Sequence, residues 1–209
     1  IMFTIISWNA QLISCRSHIL RGKPGKVVSP SQLGSKWFVS HKKPNLEKAK
    51  LLYVGRIKVE KGIFSLLKIF KNLKMDATLS LVGAGKNTNY KKMNQENVNL
   101  IEFENKNDSI IEIYDKHNIF ILPSFTEGHP QVLDESLSRL RPVIVFEEIS
   151  HVIRDREGVF ISKRDPISLN NTIKHIMSNY QAIEKKIIQN KLPTKEIFLN
   201  QLVSIIKDI

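Results

Sequence analysis

Cysteine is almost missing from this chain: Cys15 is the only one in 209 residues. A single thiol excludes an intrachain disulfide and any zinc site built on cysteines. Long apolar runs are missing too. The stretch 1–15 is uncharged, but it is shorter than the roughly 20 residues a membrane-spanning helix needs, and Ser7, Asn9 and Gln11 interrupt it. No basic segment precedes it, so it does not read as a secretory signal, and a buried strand or helix of a larger body is the expectation. Starting at Ile1 rather than Met, the chain reads as part of something longer. With neither disulfides nor a signal, the expected compartment is the cytoplasm.

Acid is the scarcer charge: 20 Asp and Glu stand against 32 Lys and Arg, a net charge of +12. Such a surplus attracts anions, whether phosphate, nucleic acid or an acidic membrane surface. The joint over-use of Lys, Asn and Ile is equally what a bias in nucleotide composition produces, so the charge alone does not choose. Aromatics are sparse at 8%, and no arginine-rich tract is interleaved with them, so no nucleic-acid module is expected. The six histidines form no i, i+4 pair and no cluster with carboxylates, so no metal site is expected. What is present, 42% hydrophobic and 25% charged residues, is the composition of a folded globular protein.

Two parts differ in texture. Residues 1–45 are irregular, broken by Gly22, Pro24, Gly25, Pro30, Gly34 and Pro44. A short strand is expected at 26–29, a short helix capped by Ser31 at 31–39, and a polar linker at 41–44. From Leu51 onward short apolar runs alternate with amphipathic stretches. Strands are expected at 51–55, 78–82, 97–103, 119–122, 142–146 and 159–161, and helices at 62–73, 109–117, 130–140 and 167–179. A further amphipathic helix, 196–209, follows Pro193. Continuous apolar strands alternating with helices predict an α/β fold, a Rossmann-like parallel sheet with helices on both faces.

In such sheets ligands bind beyond the carboxyl ends of the strands. Three strand ends carry suitable residues. At the first, Gly55 and Arg56 leave a strand and Lys61-Gly62 opens the next helix. These cations either converge on a diphosphate, Arg through paired hydrogen bonds and Lys as a point charge, or are solvated members of a lysine-rich surface. At the second, Gly83-Ala84-Gly85-Lys86 opens like a dinucleotide fingerprint, but no third Gly follows and no Gly-Lys-Ser/Thr ending makes it a Walker loop. Its glycines turn the chain and allow close approach. The third is Pro123-Ser124-Phe125-Thr126-Glu127-Gly128-His129-Pro130, running on through Gln131 to Glu135. Pro130 suits the first helical position, which leaves the amides of Gly128, His129 and Gln131 at an open helix N-terminus able to favour phosphate. Ser124 sits in no nucleophile elbow. Two glutamates eight apart occur about once by chance in a chain of this size. A buried strand, Pro-Ser, then Glu-Gly-x-Pro before a helix is a rarer arrangement. His129 either meets the substrate or is merely an exposed loop histidine.

With Val54-Gly55-Arg56, Glu60-Lys61-Gly62, Gly83-Ala84-Gly85, and Pro123-Ser124 with Glu127-Gly128-x-Pro130 and Glu135, the chain resembles retaining glycosyltransferases of the GT-B fold, family 4, over roughly residues 46–179. The resemblance implies a donor-binding Rossmann-like domain at 46–190, a remnant of an N-terminal acceptor domain plus linker at 1–45, and a C-terminal helix at 191–209. It implies catalytic roles for Glu127, Arg56 and Lys61, the cations on the diphosphate and Glu127 on donor-sugar hydroxyls. Gly55, Gly83, Gly128, His129, Pro130, Gln131 and Glu135 would bind the rest of the donor, Glu135 at the ribose. The implied reaction is hexosyl transfer from a UDP-, GDP- or ADP-linked sugar to a glycan or lipid-linked acceptor, with retention and no metal or cofactor. It belongs to polysaccharide or lipopolysaccharide biosynthesis, at the inner face of the membrane, together with an N-terminal domain or a partner chain. Departures are Arg141 where a small residue is usual before Pro142, and Phe146-Glu147-Glu148-Ile149-Ser150-His151 where a Gly-Gly-x-x-Glu pattern is common. The rival expectations are a non-catalytic nucleotide-binding fragment, half of a split enzyme, and a basic RNA-binding α/β domain.

Overall fold

A computed structural model of the chain describes residues 12–15, 17–38, 44–83, 95–101 and 107–207. Most of the uncharged stretch 1–15, the linker at 41–43, Ala84 to Lys86 and Phe103 lie outside them. The chain divides into two compact units, Ile1–Lys36 with Leu192–Ile209, and Trp37–Lys191.

In the smaller unit two short strands, β1 (Ile13–Ser14) and β2 (Lys26–Val27), pair in parallel. The helix expected at 31–39 is reduced to a single 3-10 turn, Ser35–Phe38. Ser31 does not cap it. Its hydroxyl accepts from the Leu33 amide at 3.1 Å and donates to the Pro193 carbonyl at 2.7 Å. A serine whose hydroxyl bonds the backbone two residues on makes a turn rather than a helix start. The C-terminal helix runs Lys195–Lys207.

The larger unit is built on six parallel strands: β3 (Ala49–Val54), β4 (Ala77–Val82), β5 (Val98–Ile101), β6 (Ile119–Leu122), β7 (Val143–Phe146) and β8 (Val159–Ser162). Their spatial order is β5-β4-β3-β6-β7-β8. Counted within this sheet the order is 3-2-1-4-5-6, the Rossmann order. Every pairing is parallel. From β3 the chain winds outward to β4 and β5, and from β6 it winds the other way. Right-handed crossovers in opposite directions lay the helices on opposite faces of the sheet. β6 and β7 are buried along their whole length, which explains why they read as unbroken apolar runs.

The helices are α1 (Ile63–Phe70), α2 (Asn107–Lys116), α3 (Gln131–Ser138), α4 (Pro166–Ser178) and α5 (Tyr180–Ile187). α1 buries Ile63, Leu66, Leu67, Ile69 and Phe70. Each such side chain contributes about 1.5–3 kcal/mol on leaving water. α4 is capped by Asp165, which accepts from the Ser168 amide, and has Pro166 in its first turn. α5 was not expected. Asn179 breaks the backbone after α4, and Tyr180, Ile183 and Ile187 then bury one face of a new helix. The Tyr180 hydroxyl donates to the carbonyl of Asn118 at 2.8 Å. Asn118, fully buried, accepts from the Lys50 amide and donates to the carbonyls of Asn45 and Lys48, tying the entry of β6 to that of β3. Among the described residues no helix is long and apolar enough to cross a membrane.

Candidate functional site

The strand order reverses between β3 and β6, and their carboxyl ends open a crevice of about 300 Å³. Tyr53, Val54, Gly55 and Arg56 line it from β3, Lys61 from the turn that follows, and Leu122 from β6. Glu127, His129, Pro130, Gln131 and Val132 close it from the loop after β6 and the start of α3. The topology thus brings together residues some 70 positions apart, at the place where parallel sheets of this kind hold ligands.

The β3 end is rigid. Tyr53 is buried, and its hydroxyl donates to the Arg56 carbonyl at 2.8 Å, closing the turn on which Arg56 stands. Burial, with the Glu127 carboxylate adding to it, holds the Tyr53 phenol far above its ordinary value, so it stays a donor. The Gly55 amide bonds the Val82 carbonyl, and a side chain at Gly83 would collide with the Gly55 carbonyl. Gly83 therefore serves close packing of two strand ends and is not part of the crevice lining. Arg56 is exposed on the rim.

At the centre the Lys61 ammonium donates to Glu127 Oε1 at 2.6 Å, and the Ser124 hydroxyl donates to the same oxygen at 2.7 Å. The His151 ring donates from Nε2 to the Glu127 carbonyl at 2.8 Å. Lys61 reaches Glu127 because Gly62, in the left-handed region at φ 68°, turns the 3-10 segment Val59–Lys61 into α1. There Gly62 lies flat against the Pro123 carbonyl. The Phe125 amide bonds the Glu60 carbonyl at 3.0 Å, which fastens the two loops a second time.

α3 starts one residue later than expected and stops two earlier. Pro130 is its capping residue, in extended conformation, and Gln131 is the first helical residue. Arg139 leaves the helix, Leu140 takes φ 58°, and the Arg141 amide bonds back to the Ser136 carbonyl. Gly128 is exposed with open space around it and does not line the crevice. His129 does, and its Nδ1 lies 3.5 Å from the Arg154 guanidinium.

Glu135 lies one turn into α3, outside the crevice lining. Its Oε2 accepts from the Tyr114 hydroxyl at 2.8 Å. Burial raises the Glu135 carboxyl above its ordinary value, with Asp134 adding a little and the Tyr114 bond opposing. Tyr114 is itself fully buried, stacked on Phe120 and edge-on to Trp37. Arg141, unusual for the resembled pattern, is a brace. It is 2% exposed and points its guanidinium at the Tyr114 and Asp115 carbonyls. Asp115 forms a two-pronged pair with Arg139, at 2.9 Å on each arm. Among the described residues no group of His, Cys, Asp and Glu could hold a metal ion.

Four contributors had escaped sequence reasoning: Tyr53, Tyr114, His151 and Arg164. Tyr53 stands within the expected strand 51–55 and Tyr114 within the expected helix 109–117, and nothing local marks His151 or Arg164.

A Rossmann-ordered parallel sheet with a lysine–carboxylate pair and an exposed arginine around its reversal point defines a Rossmann-like ligand-binding domain. The family model for glycosyl transferases group 1 matches residues 36–192, three quarters of the chain, and the chain belongs to that family. It is 26% identical over 150 residues to an uncharacterized glycosyltransferase of Haemophilus influenzae, covering 68% of this chain and 41% of that protein. Among solved structures it is similar to Anabaena HepE in complex with UDP and glucose, with a TM-score of 0.76 and 13% identity over 99% of this chain and 65% of that one. It is also similar to sucrose-phosphate synthase from Thermosynechococcus elongatus, with a TM-score of 0.71 and 18% identity over 90% of this chain and 53% of that one. At such identities the structural likenesses speak for the fold. The chain spans less than half the length of its sequence relatives.

Proposed function

We propose that the crevice binds a nucleotide-diphospho-sugar, and that the protein transfers its hexose to a glycan or lipid-linked acceptor with retention and without a metal. The observation that carries this is the triad Lys61–Glu127–Ser124 beside Arg56, at the reversal point of the sheet. As the bond to the sugar breaks, negative charge grows on the departing diphosphate. Lys61, held on Glu127, and Arg56, on the rim, are the cations that would stabilise it, and charge preorganised in this way lowers the barrier. Glu127, with Oε1 held by two donors, has Oε2 without a partner among the described residues to accept from a sugar hydroxyl. Glu135 likewise keeps one oxygen for the ribose hydroxyls. The backbone of Gly55 and of His129 to Gln131 lines the space for phosphate and sugar, and Gly128 stands at its edge in the same loop.

The division of labour is part of the proposal. Residues 46–190 hold the donor, while 1–45 and 191–209 belong with an acceptor-binding domain or a partner chain at the cytoplasmic face of a membrane. Titrating the chain with UDP-, GDP- and ADP-sugars tests the donor site. At least one should bind, and Arg56→Ala should weaken it by roughly ten- to a hundredfold, the worth of a hydrogen bond to a charged group. Equal and negligible binding by both proteins would overturn the reading. Retention and independence of metal are checked by the anomer formed, and by unchanged turnover in chelator, once an acceptor is supplied.

A further inference from the structure

Arg164 follows β8 and touches none of the crevice, yet it is bound on several sides. Its guanidinium lies 4.2 Å from the centre of the Phe125 ring and 4.3 Å from that of Phe146. Two nitrogens pair with Glu148, Nε to Oε1 at 2.7 Å and Nη2 to Oε2 at 3.1 Å. Nη2 also points at the Ser124 carbonyl, 3.4 Å away. Nη1 is buried with no hydrogen-bond partner among the described residues, a placement that by itself lowers stability.

These contacts converge on one loop. Ser124 donates to Glu127, Phe125 is bonded to the turn carrying Lys61, and Pro123 is covered by Gly62. Phe146 and Glu148 belong to the segment Phe146–His151, which stands where a Gly-Gly-x-x-Glu pattern is common in the resembled family. Here that segment is a 3-10 turn, Glu147–Val152, held to the Glu127 carbonyl by His151. We propose that Arg164 is a positioning residue for Glu127, acting through Ser124 and Phe125, in a clamp with Phe146 and Glu148. A planar guanidinium can stack on rings and grip a carboxylate at once, and an ammonium cannot. The loop bearing Glu127 is therefore fixed from the β8 side before any ligand arrives. The inference rests on reading Glu127 as the carboxylate that meets the donor sugar.

Two measurements on the full chain test it. Hydrogen exchange compares wild type with Arg164→Ala and Arg164→Lys. Both variants should exchange faster across residues 123–130, while β3 and β4 keep their protection. Unchanged exchange in that segment would overturn the proposal, whether or not any nucleotide-sugar binds. The second measurement titrates UDP and UDP-glucose into wild type, Arg164→Ala, Glu127→Gln and the double variant. Arg164→Ala should remove most of the extra affinity that the sugar gives, about tenfold, and change UDP binding by no more than about twofold. In the Glu127→Gln background it should do nothing further. Equal weakening of UDP and UDP-glucose, or additive losses in the double variant, would mean that Arg164 only supports the fold. If neither ligand binds wild type, the donor-site reading fails at this probe, and the exchange result alone decides for Arg164.

Discussion

Two carboxylates in this protein are shifted in opposite directions, and each shift predicts its own pH dependence. Glu135 is raised by burial. A carboxyl whose folded value exceeds its unfolded one stabilises the fold fully below the unfolded value, and that contribution is lost as pH rises through the folded value. Glu135→Gln should therefore raise Tm at neutral pH, with the gain shrinking to nothing near pH ~4, close to the unfolded value. Glu148 is lowered by its hydrogen bond to Arg164. Its contribution is present above the unfolded value and disappears as pH falls through the folded one. Glu148→Gln should lower Tm at neutral pH and leave it unchanged in acid. The effect should be at most about 1 kcal/mol, because the side chain is 38% exposed and solvent screens the pair. Thermal melts of both variants across pH check the two signs together.

At the scale of elements, the site depends on how two loops and a helix start are pressed together. Gly62 joins the 3-10 turn of Lys61 to α1 with positive φ and no room for a side chain against Pro123. Gly62→Ala combines backbone strain with a clash, and should cost at least about 1–3 kcal/mol of stability. It should also weaken donor binding, because Lys61 and Glu127 stand on the two loops that would be pushed apart. α3 is anchored from below by Asp134, 1% exposed, which Arg156 grips at 2.6 and 2.9 Å. Asp134→Ala strands the arginine and should cost about 3–5 kcal/mol in a denaturant titration.

For the whole molecule, the net charge of +12 and the donor crevice make different claims on anions. General attraction to a polyanion is screened by salt, with a reach of about 8 Å at 0.15 M. Contacts inside a crevice are screened less. RNA held by the chain at low salt should be released at about 0.15 M, while nucleotide-sugar binding should persist. RNA affinity that survives that salt would favour the basic RNA-binding alternative.

The sequence by itself determined the sheet and the place of the motifs. Unbroken apolar runs such as 119–122 can only be buried on both faces, and that is a local property of period and composition. The Pro-Ser loop and the glycines at 55, 62 and 83 were legible for the same reason, since turns are written in neighbouring residues. Tertiary structure decided the rest. It made Ser31 a turn residue rather than a cap, because the Pro193 carbonyl is its partner. It began a separate helix at Tyr180, because the Asn118 carbonyl meets that hydroxyl. It turned Arg141 from an oddity into a brace and brought Tyr114, His151 and Arg164 to the glutamates and their loop. Those partners lie 21 to 40 residues or more apart along the chain. No spacing rule reaches that far, since a polar side chain's role is set by what the fold places within hydrogen-bonding reach of it.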